Sequence, residues 1–188
     1  LGVRRRTQLP AAGRGLLARL RQSGALLTLF SVPRLRGSGG RWLGELNAAD
    51  ALNALALGFG VGLAEELLFR GGLWGELSQY TGPRTAVVTQ ALIFSLVHTR
   101  FNLGVLPMVG LLVGLTLLGL VLAVQRRLND GSLWVCVGLH GGLVGGWFAL
   151  QGCLLQLSPR APHWLIGPRG AHPNPLGGLV GVAALTFL

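Results

Sequence analysis

An all-α, polytopic transmembrane helical bundle is the fold class this sequence predicts, and three observations lead to it. Of the 188 residues, 51% are hydrophobic and only 12% charged, whereas soluble domains carry about a quarter charged residues to cover their surface. Every basic residue is an arginine, and most of them precede residue 45, which is a poor distribution for a water-soluble surface. Leu103 to Gln125 holds no charge, and Ser132 to Leu157 holds only His140, Cys136 and Cys153 as ionisable groups. Apolar runs of about 18 residues or more are long enough to cross a bilayer as helices. Four to five spans are expected.

Residues 1–50 read as a basic membrane-flanking segment containing Arg4, Arg5, Arg6, Arg14, Arg19 and Arg21. Its apolar stretch, Gly24 to Val32, is too short to span, so an interfacial helix, a targeting region and the tail of a further span all stay open. The helical domain occupies 51–188. Asp50 is the expected N-cap of a first helix running from Ala51 to about Tyr80, stopped by Thr81-Gly82-Pro83. A second helix runs from about Arg84 past His98 and ends at a weak turn between Asn102 and Pro107. The third ends at Arg126-Arg127, before the turn residues Asn129-Asp130-Gly131. The fourth runs from Ser132 to about Leu157, then a Pro/Gly loop from Ser158 to Pro175 leads to a partial span, Leu176 to Leu188. The chain opens on Leu1, its only methionine is Met108, and it stops inside an apolar run; further spans on either side are expected.

A net charge of +10 would suggest nucleic acid in a soluble protein. Here the arginines flank apolar spans and suit anionic headgroups, and the aromatic platforms of single-strand binders are missing. The bilayer is the expected partner and nucleic acid is not. Cys136 and Cys153 lie on one helix about 25 Å apart, too far for a disulfide. The alternate loops balance in arginine, so orientation follows only from the N-terminal segment, which favours the cytoplasmic side. Gly138, Gly142 and Gly146, with Gly141 and Gly145 beside them, and Gly110 with Gly114, recur at the spacing that lets helix backbones approach closely in lipid.

Ionisable groups within spans are costly, so each implies a function and a partner. Glu66 and Arg70 stand four apart on one helical face and are expected to form a structural ion pair. Glu65 is rotated from Glu66 by about 100° and is the spare carboxylate. Glu65 and His98 are about equally far from the Thr81-Gly82-Pro83 turn, so an antiparallel hairpin brings them to one depth. His140 joins them if the weak turn falls near Pro107. Two histidines and an unpaired carboxylate can activate water, with the carboxylate as base and the histidines orienting the water and stabilising an oxyanion.

At these residues the sequence resembles the CPBP family of intramembrane proteases, which includes type II CAAX prenyl endopeptidases and bacteriocin-immunity or abortive-infection relatives. The resemblance rests on Glu65-Glu66-x-x-x-Arg70, Phe94-x-x-x-His98 and His140 in that order, over roughly Ala51 to Leu157. It implies hydrolysis of peptide bonds in membrane-embedded or membrane-anchored substrates. Glu65 is implied as the base, His98 as its partner, His140 as the assisting group and Phe94 as a supporting residue. No His-Glu-x-x-His signature is present; a metal-free mechanism is the expectation, and a zinc ion held by Glu65, His98 and His140 is the competing account. Val144 stands four residues after His140, where the family pattern has Asn or Asp, which removes one hydrogen-bond donor. Asn102, four residues after His98, is the candidate replacement. The departure keeps open a non-catalytic scaffold or immunity-type protein of the same fold. Buried Glu and His also suit a transporter or proton relay, but no inverted repeat supports one.

Overall fold

A computed structural model describes residues 11–36, 41–156, 162–168 and 174–186. The chain is an integral, multi-pass membrane protein whose described residues are mostly helical. Helix α1 is Ala11–Arg36, α2 Ala48–Tyr80, α3 Pro83–Leu96, α4 Val105–Leu128 and α5 Leu133–Leu154. A short α6, His163–Ile166, and a 3-10 turn, Pro175–Gly177, precede α7, Leu179–Thr186. Among the described residues the strand content is a two-residue antiparallel ladder, in which Arg41–Trp42 pairs with Leu155–Gln156.

Among the described residues, three helices are long and apolar enough to cross a membrane: α2, α4 and α5. These are three of the four to five spans expected. Helix α3 has only 14 residues, a length of about 21 Å against a hydrocarbon core of about 30 Å, and α7 is shorter still. Leu52, Leu55, Phe59, Leu67 and Leu68 on α2, with Leu106, Val109 and Val113 on α4, are exposed on the outside of the bundle. In water such a surface would be an aggregation hazard, whereas against lipid it is matched to its surroundings.

Several boundaries differ from the sequence reading. Helix α2 begins at Ala48 with Asn47, not Asp50, as its cap: the Asn47 side chain accepts from the Asp50 amide at 3.0 Å. Helix α3 opens on Pro83, whose fixed φ suits a first helical position. It ends at Leu96, so His98 lies in the turn beyond it rather than within it. Asp130 and Gly131, both at positive φ, close the turn between α4 and α5. Arg4, Arg5, Arg6, much of the Ser158 to Pro175 loop and the last two residues lie outside the described residues.

The glycines set the packing, with two stripes on α5 receiving two helices. Gly138, Gly142 and Gly146 meet Leu16, Ser23 and Leu27 of α1, and the Ser23 hydroxyl donates to the Leu139 carbonyl at 2.8 Å. Residues 11–36, read from sequence as a flanking segment, thus run along the bundle. Gly141 and Gly145 meet Gly58, Gly62 and Ala54 of α2; a Cβ added at Gly62 would lie 2.8 Å from the Gly141 Cα. Backbone cannot yield as a side chain can, so over-filling this seam costs about 1–3 kcal/mol. Gly62→Ala is predicted to lower the melting temperature in detergent, whereas Gly60→Ala two residues away, where nothing lies within 4 Å, leaves it unchanged or raises it. Equal effects at the two positions would contradict this packing.

Candidate active site

The site forms where α2, α3 and α5 meet. In the middle of α2 the helix widens into a π segment, Glu66–Leu73. Such turns interrupt the regular hydrogen-bond ladder and recur at functional positions. Here the carbonyl of Arg70 is taken up by the guanidinium of Arg126, which donates to it from α4. Glu66 and Arg70 are both fully buried, and their side chains form an ion pair of 3.0 Å.

Glu66 does more than neutralise Arg70. Its Oε1 also accepts from His140 Nδ1 on α5 at 2.8 Å. The sequence reading set Glu66 apart in a pair with Arg70; the structure instead makes it the link between that arginine and His140. The two residues are 74 apart in the chain, and no spacing rule connects them. Glu65, its neighbour, turns the other way. It is 26% exposed, and its Oε2 lies 3.5 Å from His98 Nε2 and 3.8 Å from His140 Nε2.

The tautomers follow from the partners. His98 Nδ1 is 2.7 Å from the Phe94 carbonyl, and a carbonyl can only accept, so this nitrogen carries the proton. His140 Nδ1 likewise donates to the Glu66 carboxylate. In the neutral rings both Nε2 atoms therefore present lone pairs, and both face Glu65 Oε2, onto which no hydrogen bond closes among the described residues. Three acceptors converging in this way repel one another unless a proton or a donor such as water lies between them.

Phe94 holds the group together. Fully buried, its ring takes the Arg70 guanidinium 4.2 Å from its centroid. It also packs against His98 at 4.8 Å, His140 at 5.7 Å and Phe69 at 5.1 Å. An aromatic face attracts the cation while its edges fit the imidazoles, which gives the Phe-x-x-x-His spacing a physical reason.

Glu65, His98 and His140 open onto a cavity of about 690 Å³ whose other walls are mainly apolar, among them Leu57, Val61, Leu118 and Trp147. Val144 is on that wall. Asn102, the candidate replacement donor, is exposed and does not line the cavity: the turn after α3 carries it away, while Arg100 stays. Asn174, from the segment before α7, does line it and has no counterpart in the sequence motifs. Both cysteines are buried and unpaired. Histidine and carboxylate are the right donor types for zinc, but among the described residues no group of three His, Cys, Asp or Glu has the arrangement to hold a metal ion.

Removing one partner of a buried ion pair leaves an uncompensated charge and costs about 3–5 kcal/mol. Glu66→Gln is accordingly predicted to destabilise the protein by about that amount, and Glu65→Gln, on the open side, by less than about 1 kcal/mol. Chemical denaturation in mixed micelles would measure both; the reverse order would contradict the assignment of buried and cavity-facing carboxylates.

No curated protein and no solved structure matches the chain. The pattern of the Rce1-like family, described as type II CAAX prenyl endopeptidase Rce1-like, matches residues 47–145, which carry Glu65, Glu66, Arg70, Phe94, His98 and His140. That match covers more than half of the chain, and the protein belongs to the type II CAAX prenyl endopeptidase Rce1-like family.

Proposed function

We propose that this chain is an intramembrane endopeptidase that hydrolyses peptide bonds of membrane-embedded or membrane-anchored protein substrates with a glutamate-activated water. Membership of a family of prenyl endopeptidases supports a protease at the level of the family. The observation that carries the finer reading is the convergence of His98 Nε2 and His140 Nε2 on the open oxygen of Glu65. A water there donates one proton to Glu65 and the other to an imidazole, leaving its lone pair directed at a substrate carbonyl. The water oxygen attacks the carbonyl carbon while Glu65 takes its proton. The tetrahedral intermediate then collapses: the carbon–nitrogen bond breaks, and Glu65 returns the proton to the leaving amine. His98 orients the water, and His140, held by Glu66, fixes the third side of the site.

A second reading, a non-catalytic scaffold of the same fold, is favoured by Val144, which places an apolar side chain on the cavity wall. The two readings separate in one assay. The protein is reconstituted in vesicles with a membrane-anchored peptide substrate, and wild type is compared with Glu65→Gln and His98→Ala. The protease reading predicts cleavage by wild type and a loss of about a hundredfold or more in each variant. Equal cleavage by all three, or none by any, would overturn it. A strong chelator is expected to leave the wild-type rate unchanged, and loss of activity would return the zinc account.

A further inference from the structure

The convergence that suits Glu65, His98 and His140 to holding water leaves them short of something else. Both Nδ1 protons are committed, one to Phe94 and one to Glu66, and both Nε2 atoms are directed at Glu65. Attack on a carbonyl turns its oxygen into an oxyanion, which needs a donor that is already in place. The three residues have none to spare. The other polar side chains on the cavity wall are Arg100, Trp147, Gln151 and Asn174. Trp147 and Gln151 lie about two and three turns beyond His140 on α5, at the far end of the cavity. Arg100 is half-buried on the turn after α3.

Asn174 differs from these in both its level and its fixation. The turn that follows it packs on α4, where the Leu176 and Gly177 carbonyls press on Gly114 and Gly110. Between those glycines, the Leu112 carbonyl accepts from the Ser95 hydroxyl of α3 at 2.7 Å. The segment therefore crosses α4 at the level where α3 brings in Ser95 and, three residues on, His98. The Asn174 carboxamide is held by its oxygen, which accepts from the Leu176 amide at 2.9 Å. Because a backbone N–H needs an acceptor, Oδ1 occupies that end of the amide and the two Nδ2 protons occupy the other.

We infer that the Asn174 side chain supplies the oxyanion-stabilising hydrogen bond of the hydrolytic site, a residue outside the matched family pattern completing the machinery within it. This rests on the hydrolytic reading proposed above. It also explains how an apolar Val144 can stand on the wall: the donor comes from the other side of the cavity. Glycine at 110 and 114 then has a purpose beyond helix packing, since any Cβ at either position would strike the turn that positions Asn174.

The test uses the full chain in vesicles and compares wild type, Glu65→Gln, Asn174→Asp, Arg100→Gln and the double variant Asn174→Asp with Val144→Asn. Aspartate keeps the oxygen that accepts from Leu176 but brings no N–H. Asn174→Asp is expected to lower kcat about a hundredfold to a thousandfold, with KM and the melting temperature close to wild type. Val144→Asn is expected to restore at least about a tenfold part of that loss by supplying a donor from α5. Wild-type kcat in Asn174→Asp, or the kcat loss appearing in Arg100→Gln instead, overturns the assignment while leaving the hydrolytic reading intact. So does a loss that follows a fall in melting temperature and is not restored by Val144→Asn. If wild type and Glu65→Gln are indistinguishable, the hydrolytic reading itself fails, and the role of Asn174 with it.

Discussion

A single buried oxygen, Glu66 Oε1, accepts from Arg70 at 3.0 Å and from His140 at 2.8 Å, and the rest of the site is arranged around that shared acceptor. A guanidinium with no exposed surface is tolerable inside an apolar bundle only if a carboxylate balances it. Because Glu66 does so, the adjacent Glu65 is released from that duty and turns to the cavity. Because the same oxygen also binds His140 Nδ1, the imidazole presents its other nitrogen to Glu65. One ion pair thus fixes the charge, the tautomer and the orientation of two catalytic candidates. Phe94 completes the arrangement from α3 by seating the guanidinium on its face and both imidazoles around its ring.

Such an arrangement requires helices held at fixed depth. Lipid provides little hydrophobic drive between apolar helices, so depth and tilt come from close backbone packing. Gly58 and Gly62 of α2 seated against Gly141 and Gly145 of α5 set the height of Glu65 and Glu66 relative to His140. On the neighbouring stripe of α5, α1 packs through Ser23 and Leu27. The π segment of α2 begins four residues beyond Gly62, and Arg126 takes up a carbonyl there.

What was legible in the sequence was whatever depends on local spacing. The turn at Thr81-Gly82-Pro83 puts Glu65 and His98 at one depth, because a hairpin folded at a known point equates distances on its two arms. The apolar runs of α4 and α5 announce themselves by length alone. Other features depend on tilt and on contacts distant in the chain. Glu66 reaches His140 only because α2 and α5 cross at their glycines, which spacing along either helix does not reveal. Asn47 rather than Asp50 caps α2, since both are competent caps and only the backbone angle decides between them. Asn102 was drawn to the site by its position after His98, but α3 had already ended and the turn leads it outward. Asn174 had no motif to signal it; it reaches the cavity because a short turn rests on Gly110 and Gly114.

Both imidazoles are held by Nδ1 and offer Nε2 to Glu65. Nitrogen-15 NMR of ring-labelled histidine in the micellar protein at mildly alkaline pH reports this directly. His98 and His140 are both expected to carry the proton on Nδ1, and Glu65→Gln to shift both Nε2 resonances while leaving the Nδ1 protons in place. An unprotonated Nδ1 in either ring, or Nε2 resonances indifferent to Glu65, would contradict it.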